Sequence, residues 1–401
     1  MGSRIDRIVI HGFRAAREVA VEPGALCALV GESSSGKATV LTAIWSLLEA
    51  SAPVPTAEDL TRGGDGRIRI EADAAEHHLF LDARPPGTLN LNREGAPPAI
   101  FLPANLRGGL MVAPTSDDRA AVGAAFIRPA EEVLNSGEAI VDGFEALVES
   151  GLDGLVVLVE EPELYLGPHA QRHLYRLLRG LAEHGNQVLY STHSPVFLRV
   201  DRLDELAMVR HRRDHGTVLL QPKALPDGEA FRALAEFDAE RAELFISRAA
   251  LLVEGRTEKL VLPLVFEALG YEPDRERIAL LECGGKSSIP LFARICNACE
   301  IPYVVLHDRD APDGQDPVES EQVVNATIAR VAGARTVVMV PDFEGVSGVR
   351  ARAKKPRKAW RRYHRDDGDI PEPLREAVER AVAAARGKRW RRRRSGVPSK
   401  R

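Results

Sequence analysis

The sequence predicts an α/β protein made of two successive units, each with a mainly parallel sheet. Two observations support this fold class. The run Leu155–Val159 is entirely apolar and rich in β-branched residues, which is typical of a parallel strand buried on both faces. From residue 249 to residue 340, short apolar strands alternate with segments of helical spacing, and this alternation favours a parallel sheet with right-handed crossovers.

The elements of the first unit follow from hydrophobic periodicity. Near the N-terminus, the runs Ile5–Ile10 and Ala25–Val30 predict two strands, with Pro23-Gly24 as the turn between them. Helical spacing predicts helices at Val40–Leu48 and over residues 169–184. Further strands are predicted at Ile68–Ala72, His78–Leu81, Ala99–Leu102 and Gln187–Ser191. Periodicity does not establish how the strands between residues 51 and 130 pair.

The second unit is predicted to begin near Phe245. Its strands are expected at Ala249–Val253, Ile278–Glu282, Tyr303–His307 and Thr336–Val340, and its helices at Glu258–Leu269 and Ile289–Glu300. A last helix is predicted over residues 374–386, because an apolar stripe at helical spacing stops there at Gly387.

Composition limits the class of protein. The 401 residues are 44% hydrophobic and 28% charged, as in soluble globular proteins. No apolar run reaches the roughly 18 residues of a membrane span, and the first residues lack the apolar stretch of a secretory signal. Four cysteines are too few for a disulfide framework. We therefore expect a cytoplasmic protein of two or three domains that makes no membrane contact.

Charge is distributed unevenly along the chain. Residues 351–401 contain 19 Lys/Arg and 6 Asp/Glu, which leaves 35 basic and 52 acidic residues in the first 350. A basic terminal segment on an acidic body is expected of a tail that contacts nucleic acid. On charge alone, a solvated tail without a partner fits equally well.

The segment Gly31-Glu32-Ser33-Ser34-Ser35-Gly36-Lys37 predicts a phosphate-binding loop. It lies between a predicted strand and a predicted helix, where backbone N–H groups and a helix N-terminus can surround an anion. Gly31 and Gly36 allow the backbone to approach the phosphates, and Lys37 can reach the outer ones. Ser35 belongs to the same loop.

An acidic pair closes the buried strand that ends at Val159. At this position one carboxylate helps to hold Mg²⁺ and the next can polarise a water for attack on the γ-phosphate, which assigns these roles to Glu160 and Glu161. An exposed acidic turn is the alternative, but burying an unpaired carboxylate is costly, so the abrupt strand end argues against it. His193 follows the next strand and is a candidate γ-phosphate sensor, although single histidines are more often structural.

Four segments resemble the ABC/SMC-like ATPases in order and spacing. They are Gly31–Thr39, Asn135–Glu138, Leu158–Leu166 and Thr192–Pro195. The resemblance implies ATP as the nucleotide. It also implies a head-to-head dimer in which Ser136 and Gly137 of one subunit cover the ATP bound to the other.

Two departures from the ATPase pattern affect the metal. The loop in that family ends Gly-Lys-Ser/Thr, and the hydroxyl binds Mg²⁺, whereas this chain has Ala38 and places Thr39 one position later. The family also uses a glutamine between the loop and the serine-glycine signature, but the first glutamine here is Gln171. We therefore expect a site that binds nucleotide and hydrolyses it slowly or not at all.

A second acidic set follows the strands of the second unit. Glu254 ends one strand, Glu258 lies four residues later on the same helical face, and Asp308 and Asp310 close another strand. The carboxyl ends of parallel strands are where open α/β sheets place their sites. Oxygen ligands without cysteine or histidine favour Mg²⁺ or Mn²⁺, and two such ions can clamp a phosphodiester between its attacking and leaving oxygens.

This set resembles the Toprim domain of topoisomerases, primases and a group of nucleases. The match covers about 245–360 through VEGRTE, Gly284-Gly285-Lys286, DRD and Asp342-Phe343-Glu344. A Toprim domain behind an ABC-like ATPase is the arrangement of the OLD (overcoming lysogenization defect) endonucleases. The resemblance implies metal-dependent DNA cleavage, often in defence against phage. It also implies Glu344 as a further metal ligand and Lys355, or equally Lys354, as a basic residue near the scissile phosphate.

These features predict an ABC-type ATPase domain at 1–244, a Toprim nuclease domain at 245–365, and a helix with a basic tail at 366–401. The expected protein is a nucleotide-regulated, metal-dependent DNA endonuclease that oligomerises through its ATPase domain, with a partner from a defence operon left open. The alternative is a nucleotide-binding sensor or scaffold with a silent or partner-dependent Toprim site. A topoisomerase-like enzyme is less favoured, because strand passage needs a nucleophilic tyrosine in a separate domain.

Overall fold

The computed structural model describes residues 4–104, 111–112, 138–238, 240–349, 355–365 and 369–388. The chain divides between Leu234 and Ala235 into two compact units. Predictions that concern Ser136, Gly137 and Lys354 lie outside the described residues. Within those residues, no helix is both long enough and apolar enough to cross a bilayer.

The first unit combines a large mixed sheet with a few helices. In chain order its elements are β1 (Ile5–Phe13), β2 (Ala16–Val21), β3 (Leu26–Val30), α1 (Lys37–Leu48), β4 (Ile68–Ala74), β5 (His77–Arg84), β6 (Thr88–Asn92), β7 (Ala99–Leu102), β8 (Met111–Val112), α2 (Glu138–Glu149), β9 (Val156–Glu160), α3 (Pro168–Glu183), β10 (Gln187–Thr192), β11 (Leu206–Arg212), β12 (Gly216–Leu220) and α4 (Asp227–Glu236).

The centre of the large sheet is parallel. Its strands run in the order β11-β3-β10-β9-β7, and each neighbouring pair is parallel. Every residue of β3 and β10 is buried, as expected of parallel strands covered on both faces, and β3 is a continuous apolar run. Helix α1 packs Val40, Ile44 and Trp45 into the same core cluster. The buried parallel strand predicted at Leu155–Val159 is confirmed as β9.

One flank of the sheet is antiparallel, in the order β6-β5-β4-β1-β2-β12. The two strands predicted before residue 30 are confirmed as β1 and β3, but the prediction missed β2, a further strand that pairs with β1. The connection between them places Arg14 in the left-handed region at φ 49°. That conformation usually takes glycine, asparagine or aspartate, so the sequence carried no ordinary turn signal at this point.

The second unit contains a four-stranded sheet covered by helices. Its elements are β13 (Ala249–Val253), α5 (Arg256–Ala268), α6 (Pro273–Glu276), β14 (Ile278–Glu282), α7 (Ile289–Ala298), β15 (Tyr303–Asp308), α8 (Glu319–Ala332), β16 (Thr336–Met339), α9 (Phe343–Ser347), α10 (Lys355–Arg365) and α11 (Glu372–Ala385). The strand order is β14-β13-β15-β16, and all pairs are parallel. The predicted parallel sheet is therefore confirmed.

Helix α11 is part of the core of the second unit. Leu374 and Val378 on its apolar stripe are fully buried and belong to one cluster with Leu251 of β13 and Leu306 of β15. The compact unit therefore continues beyond residue 365, through a helix that supports the two central strands of the sheet.

Candidate nucleotide and metal sites

The predicted phosphate loop joins β3 to α1, and its glycines are required by close packing. Gly36 has φ 108°, and a Cβ at this position would lie 2.1 Å from Thr217 Oγ1. At Gly31 a Cβ would lie 1.9 Å from the carbonyl oxygen of Val209. A side chain at either position would force the loop away from the neighbouring strands. The loop therefore stays at the N-terminus of α1, where free N–H groups and the helix dipole favour an anion.

Lys37 is the first residue of α1, and its ammonium group is held inside the loop. Its Nζ donates to the carbonyl oxygens of Gly31 at 2.9 Å and Glu32 at 3.0 Å, and lies 2.9 Å from His193 Nε2. Burial lowers the pKa of Lys37 to about 8, although the carboxylate of Glu161 partly opposes this shift. Burial and the nearby ammonium also lower the pKa of His193, so a neutral ring can accept the lysine hydrogen bond.

The acidic pair at the end of β9 faces the same cleft. Glu160 accepts a hydrogen bond from the Ala104 backbone N–H at 3.2 Å, and burial raises its pKa. Glu161 adopts a left-handed conformation with φ 45°, and its Oε1 lies 3.5 Å from His193 Nε2. Such backbone conformations cost about 1–3 kcal/mol in non-glycine residues and cluster at functional sites. The turn brings the second carboxylate beside the Lys37–His193 pair.

Glu163 is a residue of this site that the sequence analysis did not assign. Its Oε1 accepts the backbone N–H of His193 at 2.6 Å and that of Ser194 at 3.2 Å. Burial raises the pKa of Glu163, and the hydrogen bond from His193 partly opposes this rise. Glu163 therefore holds the turn that carries His193. Its position two residues after the acidic pair was the only signal in the sequence.

These side chains line one cleft of about 300 Å³. The lining includes Ser33, Ser34, Gly36, Lys37, Ala38, Thr39, Glu160, Glu161, Ser191 and His193. Ala38 is exposed in the cleft, whereas Thr39 is buried and Ser35 lies buried in the loop. The structure thus brings the described nucleotide-site residues together, and places a methyl group where the ATPase pattern has a hydroxyl.

The carboxylates of the second unit gather at the carboxyl edge of its parallel sheet. Glu254 follows β13 and Asp308 ends β15, which is next to it in the sheet. Asp310 lies two residues further on, with φ 62°. The backbone N–H groups of Arg309 and Asp310 donate to the carbonyl oxygens of Met339 at 2.9 Å and Pro341 at 2.8 Å. These bonds fix the acidic turn across the end of β16.

The inner carboxylates are buried close to one another. The pKa of Asp308 is raised to about 8, first by burial and then by the charges of Glu254, Glu258 and Asp310. Burial also raises the pKa values of Glu254 and Glu258. Glu254 Oε2 and Asp308 Oδ1 have no hydrogen-bond donor among the described residues. Buried oxygens without donors fit a hard divalent cation.

Two lysines lie among the outer carboxylates. Lys286 Nζ donates to Asp310 Oδ2 and, at 2.9 Å, to Glu321 Oε2. Lys355, the first residue of α10, pairs with Glu344 Oε2 at 2.8 Å. Burial disfavours each ammonium, but the carboxylate hydrogen bonds outweigh it and raise both lysine pKa values. Among the described residues, no three His, Cys, Asp or Glu side chains are arranged to hold one ion.

The sequence analysis missed the role of Lys286 and did not consider Glu321. From the sequence, Lys286 was assigned only to the Toprim-like segment Gly284-Gly285-Lys286, but its ammonium group lies inside the carboxylate cluster. Glu321 lies in the first turn of α8 and reaches this cluster only through that lysine. No local pattern marks either residue, because both contacts are long-range.

The fold and the two sites define the class of protein, an ABC-type ATPase head followed by a Toprim domain. A family model described as "AAA domain, putative AbiEii toxin, Type IV TA system" matches residues 136–199. A second, described as "Overcoming lysogenization defect protein-like, TOPRIM domain", matches residues 245–310. The predicted fold class is therefore confirmed.

Two curated relatives are similar to this chain. The chain is 37% identical over 275 residues to the OLD nuclease of Thermus scotoductus, which covers 63% of this chain and 52% of that protein. It is 30% identical over 169 residues to the Old nuclease of Escherichia phage P2, covering 40% of this chain and 29% of that protein. The chain thus spans about half the length of the first relative and less of the second. The resemblance to the OLD family is confirmed by these matches.

Solved structures are similar at lower identity. One is the Smc head domain with an extended coiled coil from Pyrococcus furiosus, with 11% identity and a TM-score of 0.42, covering 58% of this chain and 99% of that chain. Another is the C-terminal region of the Xanthomonas campestris pv. campestris OLD protein, with 21% identity and a TM-score of 0.27, covering 36% of this chain and 96% of that chain.

Proposed function

We propose that this protein is a divalent-metal-dependent DNA endonuclease controlled by nucleotide bound in its first unit. The observation that carries the proposal is the buried carboxylate cluster, in which Glu254 and Asp308 present oxygens without donors among the described residues. Retaining such a cluster is costly unless a cation offsets it. The names of the curated relatives support nuclease chemistry at this site.

The proposed metal ligands are Glu254, Asp308 and Asp310, with Glu258 and Glu344 as further carboxylates. These carboxylates would hold Mg²⁺ or Mn²⁺, two ions when the site is full, and the bound charge would polarise the phosphodiester and lower the pKa of the attacking water.

Protein groups then orient the substrate. Burial and the neighbouring carboxylates raise the pKa of Asp308 to about 8, so this carboxyl group would have to lose a proton in order to act as a metal ligand near neutral pH. Lys355 Nζ, which now pairs with Glu344, is the proposed contact to a non-bridging phosphate oxygen.

Helix α10 supports DNA as the substrate. Its sequence KPRKAWRRYHR contains six basic residues and no acidic residue. Arg357, Lys358 and Arg361 are exposed, whereas Ala359 faces the core. Because the helix begins at Lys355 beside the carboxylates, its basic face can lead a phosphate backbone to the site. We expect DNA affinity to fall steeply with salt, and a nearly flat salt dependence would contradict this role.

In the first unit, we propose that ATP binds the loop through Gly31, Ser35, Gly36 and Lys37, with Thr39 near the metal. Glu160 would help to hold Mg²⁺, Glu161 would act as the base, and His193 would sense the γ-phosphate. The absence of a hydroxyl at Ala38 would make hydrolysis slow.

We further propose a dimer or higher oligomer formed through this unit, with Ser136 and Gly137 covering the ATP of the partner copy. Our proposed functional division is 1–244, 245–365 and 366–401, with helix α11 of the last segment packed into the core of the second unit. We also propose that the protein acts in the cytoplasm in defence against phage. Whether it needs a partner protein is left open.

The proposal is tested by nicking of supercoiled plasmid with Mg²⁺ or Mn²⁺, with and without ATP. Asp308→Asn should abolish nicking. The matched control is Asp313→Asn, because Asp313 follows on the same loop but is 96% exposed. Nicking that requires metal, disappears in the first variant and persists in the second supports the nuclease. The lanes with ATP show the direction of nucleotide control.

One alternative function has structural support. Ala38 weakens the metal contact of the nucleotide site, and lysines engage both Asp310 and Glu344 in the second site. Both features suit a nucleotide-binding sensor or scaffold with a silent or partner-dependent Toprim site. Folded protein that binds ATP but never nicks plasmid, whatever metal is added, would favour this alternative.

A further inference from the structure

The loop after β14 delivers a lysine side chain into the carboxylate cluster. Gly284 and Gly285 both have positive φ, 76° and 127°, and the N–H of Gly285 donates to the carbonyl oxygen of Glu254 at 2.9 Å. The loop is therefore tied to the backbone of a proposed metal ligand. Lys286 follows directly, and its side chain is only 7% exposed. This burial distinguishes it from a surface lysine that pairs with whichever acid is nearby.

Two separate elements carry the partners of this lysine. Asp310 is fixed by its own N–H bond to the Pro341 carbonyl oxygen at 2.8 Å. Glu321 lies in the first turn of α8, and Asn325 of the same helix donates to the Arg309 carbonyl oxygen at 3.1 Å. The ammonium of Lys286 thus bridges two carboxylates whose backbone segments are held by contacts that do not involve this lysine. Burying that ammonium is tolerable because both hydrogen bonds are charge-assisted.

We propose that Lys286 is an internal cation that competes with the second metal ion for Asp310, and that Glu321 retains Lys286 when it leaves that carboxylate. The inference rests on the proposed function in one respect, that Asp310 is a metal ligand. An ammonium and a divalent cation cannot share one carboxylate oxygen without strong repulsion. Because Glu321 keeps hold of the ammonium, the exchange breaks one hydrogen bond and does not strand a buried charge.

The consequence is an order of metal binding. No lysine contacts the donor-free oxygens of Glu254 and Asp308 in the described part of the chain, so these oxygens receive the first ion without competition. Asp310 receives the second ion only when Lys286 moves to Glu321 alone. The wild-type protein should therefore have one tight and one weak metal site.

The test measures how many Mn²⁺ ions the full chain binds and with what affinities, in the absence of nucleotide. Calorimetric titration and the electron paramagnetic resonance signal of free Mn²⁺ are the two measurements. Lys286→Met should tighten the weak site by about ten- to a hundredfold, the range for losing one charge-assisted hydrogen bond to a competitor.

Lys388→Met is the matched control, because it removes the same charge from an exposed position. A single wild-type ion, with a second appearing only in Lys286→Met, also supports the proposal. Two equal wild-type sites, or an unchanged weak site in the variant, would overturn it.

For a second variant, we expect the affinity of the weak metal site to change in the opposite direction. In Glu321→Gln, Lys286 keeps only Asp310 as a charged partner, so the weak site should become weaker still, while the tight site is unchanged. Loss of folding would weaken both sites together, and thermal unfolding of each variant detects it.

The outcome is separable from that of the proposed function. Two unequal sites with the predicted shifts, in a protein that never nicks DNA, would refute the nuclease and leave the role of Lys286 standing. Nicking by a protein with two equivalent sites would do the reverse.

Discussion

The two sites of this molecule bring groups of opposite charge to nearly the same pKa. In the first unit, burial lowers the pKa of Lys37 from 10.5 to about 8. In the second unit, burial and neighbouring carboxylates raise the pKa of Asp308 from 3.8 to about 8. Each unit disfavours the charged form of its own residue, the ammonium of Lys37 or the carboxylate of Asp308. A bound ligand of the opposite charge would stabilise that charged form. The comparison teaches that the direction of a shift predicts the sign of the ligand: an anion at Lys37 and a cation at Asp308.

The two sites also differ in how many of their buried polar groups have hydrogen-bond partners within the protein. Lys37 has three partners within its own unit. Glu254 and Asp308 each keep one buried oxygen without a donor in the described residues, and only the outer acids of that site have lysine partners. The phosphate loop therefore satisfies the hydrogen bonds of its lysine internally, whereas the carboxylate cluster keeps buried oxygens that only a ligand can satisfy.

The largest expected effect separates the two sites completely. Asp308→Asn should reduce DNA cleavage by about a thousandfold or more, because metal charge at the phosphate supplies several kcal/mol of transition-state stabilisation. ATP binding, measured by fluorescence titration of a labelled nucleotide, should not change. A comparable loss of ATP affinity would mean that the two sites are one energetic unit and would break the comparison.

The reciprocal variant is Lys37→Met. It should weaken ATP binding by about a hundredfold, because charge-assisted hydrogen bonds to the outer phosphates are lost. Mn²⁺ binding to the carboxylate cluster should stay as in the wild type. Lys223→Met, at an exposed position of the same unit, controls for the loss of charge. Altered Mn²⁺ binding in Lys37→Met alone would contradict the independence of the sites.

A smaller effect is expected at the position where the loop departs from the ATPase pattern. Ala38→Ser should raise the rate of ATP hydrolysis by about tenfold, because it restores an oxygen ligand for Mg²⁺. Ala38→Cys has a similar size without a hard oxygen and should have no such effect. Steady-state phosphate release is the measurement. Equal rates in all three proteins would show that the missing hydroxyl does not limit turnover.

The smallest effects are opposite pH dependences of at most about tenfold per pH unit, the limit for one linked proton. Asp308 is protonated below about pH 8, so a cation displaces its proton and Mn²⁺ affinity should rise from pH 6 to pH 8. Lys37 loses its proton above about pH 8, so ATP binding must restore the proton and should weaken as pH rises further. Calorimetry in buffers of different ionisation enthalpy measures both proton exchanges. Slopes of the same sign would refute the interpretation.

The raised pKa of Asp308 also affects folding, with a sign opposite to that of its effect on Mn²⁺ affinity. Because the folded pKa of Asp308 lies above its ordinary value of 3.8, its contribution to the free energy of unfolding is full below that value and is lost as pH rises to about 8. Asp308→Asn should remove this part of the pH dependence in metal-free protein.

The second unit could be predicted from the sequence more closely than the first. The bounds of β13 and β14 agree with the prediction at both ends, because buried parallel strands are continuous apolar runs. On the antiparallel flank, β2 was missed for lack of a turn signal. The exposed strand β6 was missed because its sequence TLNLN carries little apolar signal and pairs only with β5.

The same division holds for the site residues. Acids that end a strand are visible locally, so the geometry brings Glu254 and Asp308 together as the pattern predicts. The partners of Lys286 lie 24 and 35 residues away in the sequence. The partners of Glu163 lie about 30 residues away. Only the tertiary fold makes such partners adjacent, so periodicity and motif spacing could not identify them.

Helix α11 sets the point at which the chain can be shortened. Leu374 and Val378 are fully buried against the strands that carry the acidic residues, and truncating one such side chain to alanine costs about 2–5 kcal/mol. A deletion starting before residue 372 would therefore unfold the unit and imitate a defect in DNA binding. A deletion starting after Lys388 removes basic charge and leaves the helix whole. Soluble yield across a truncation series should fall sharply between these two points.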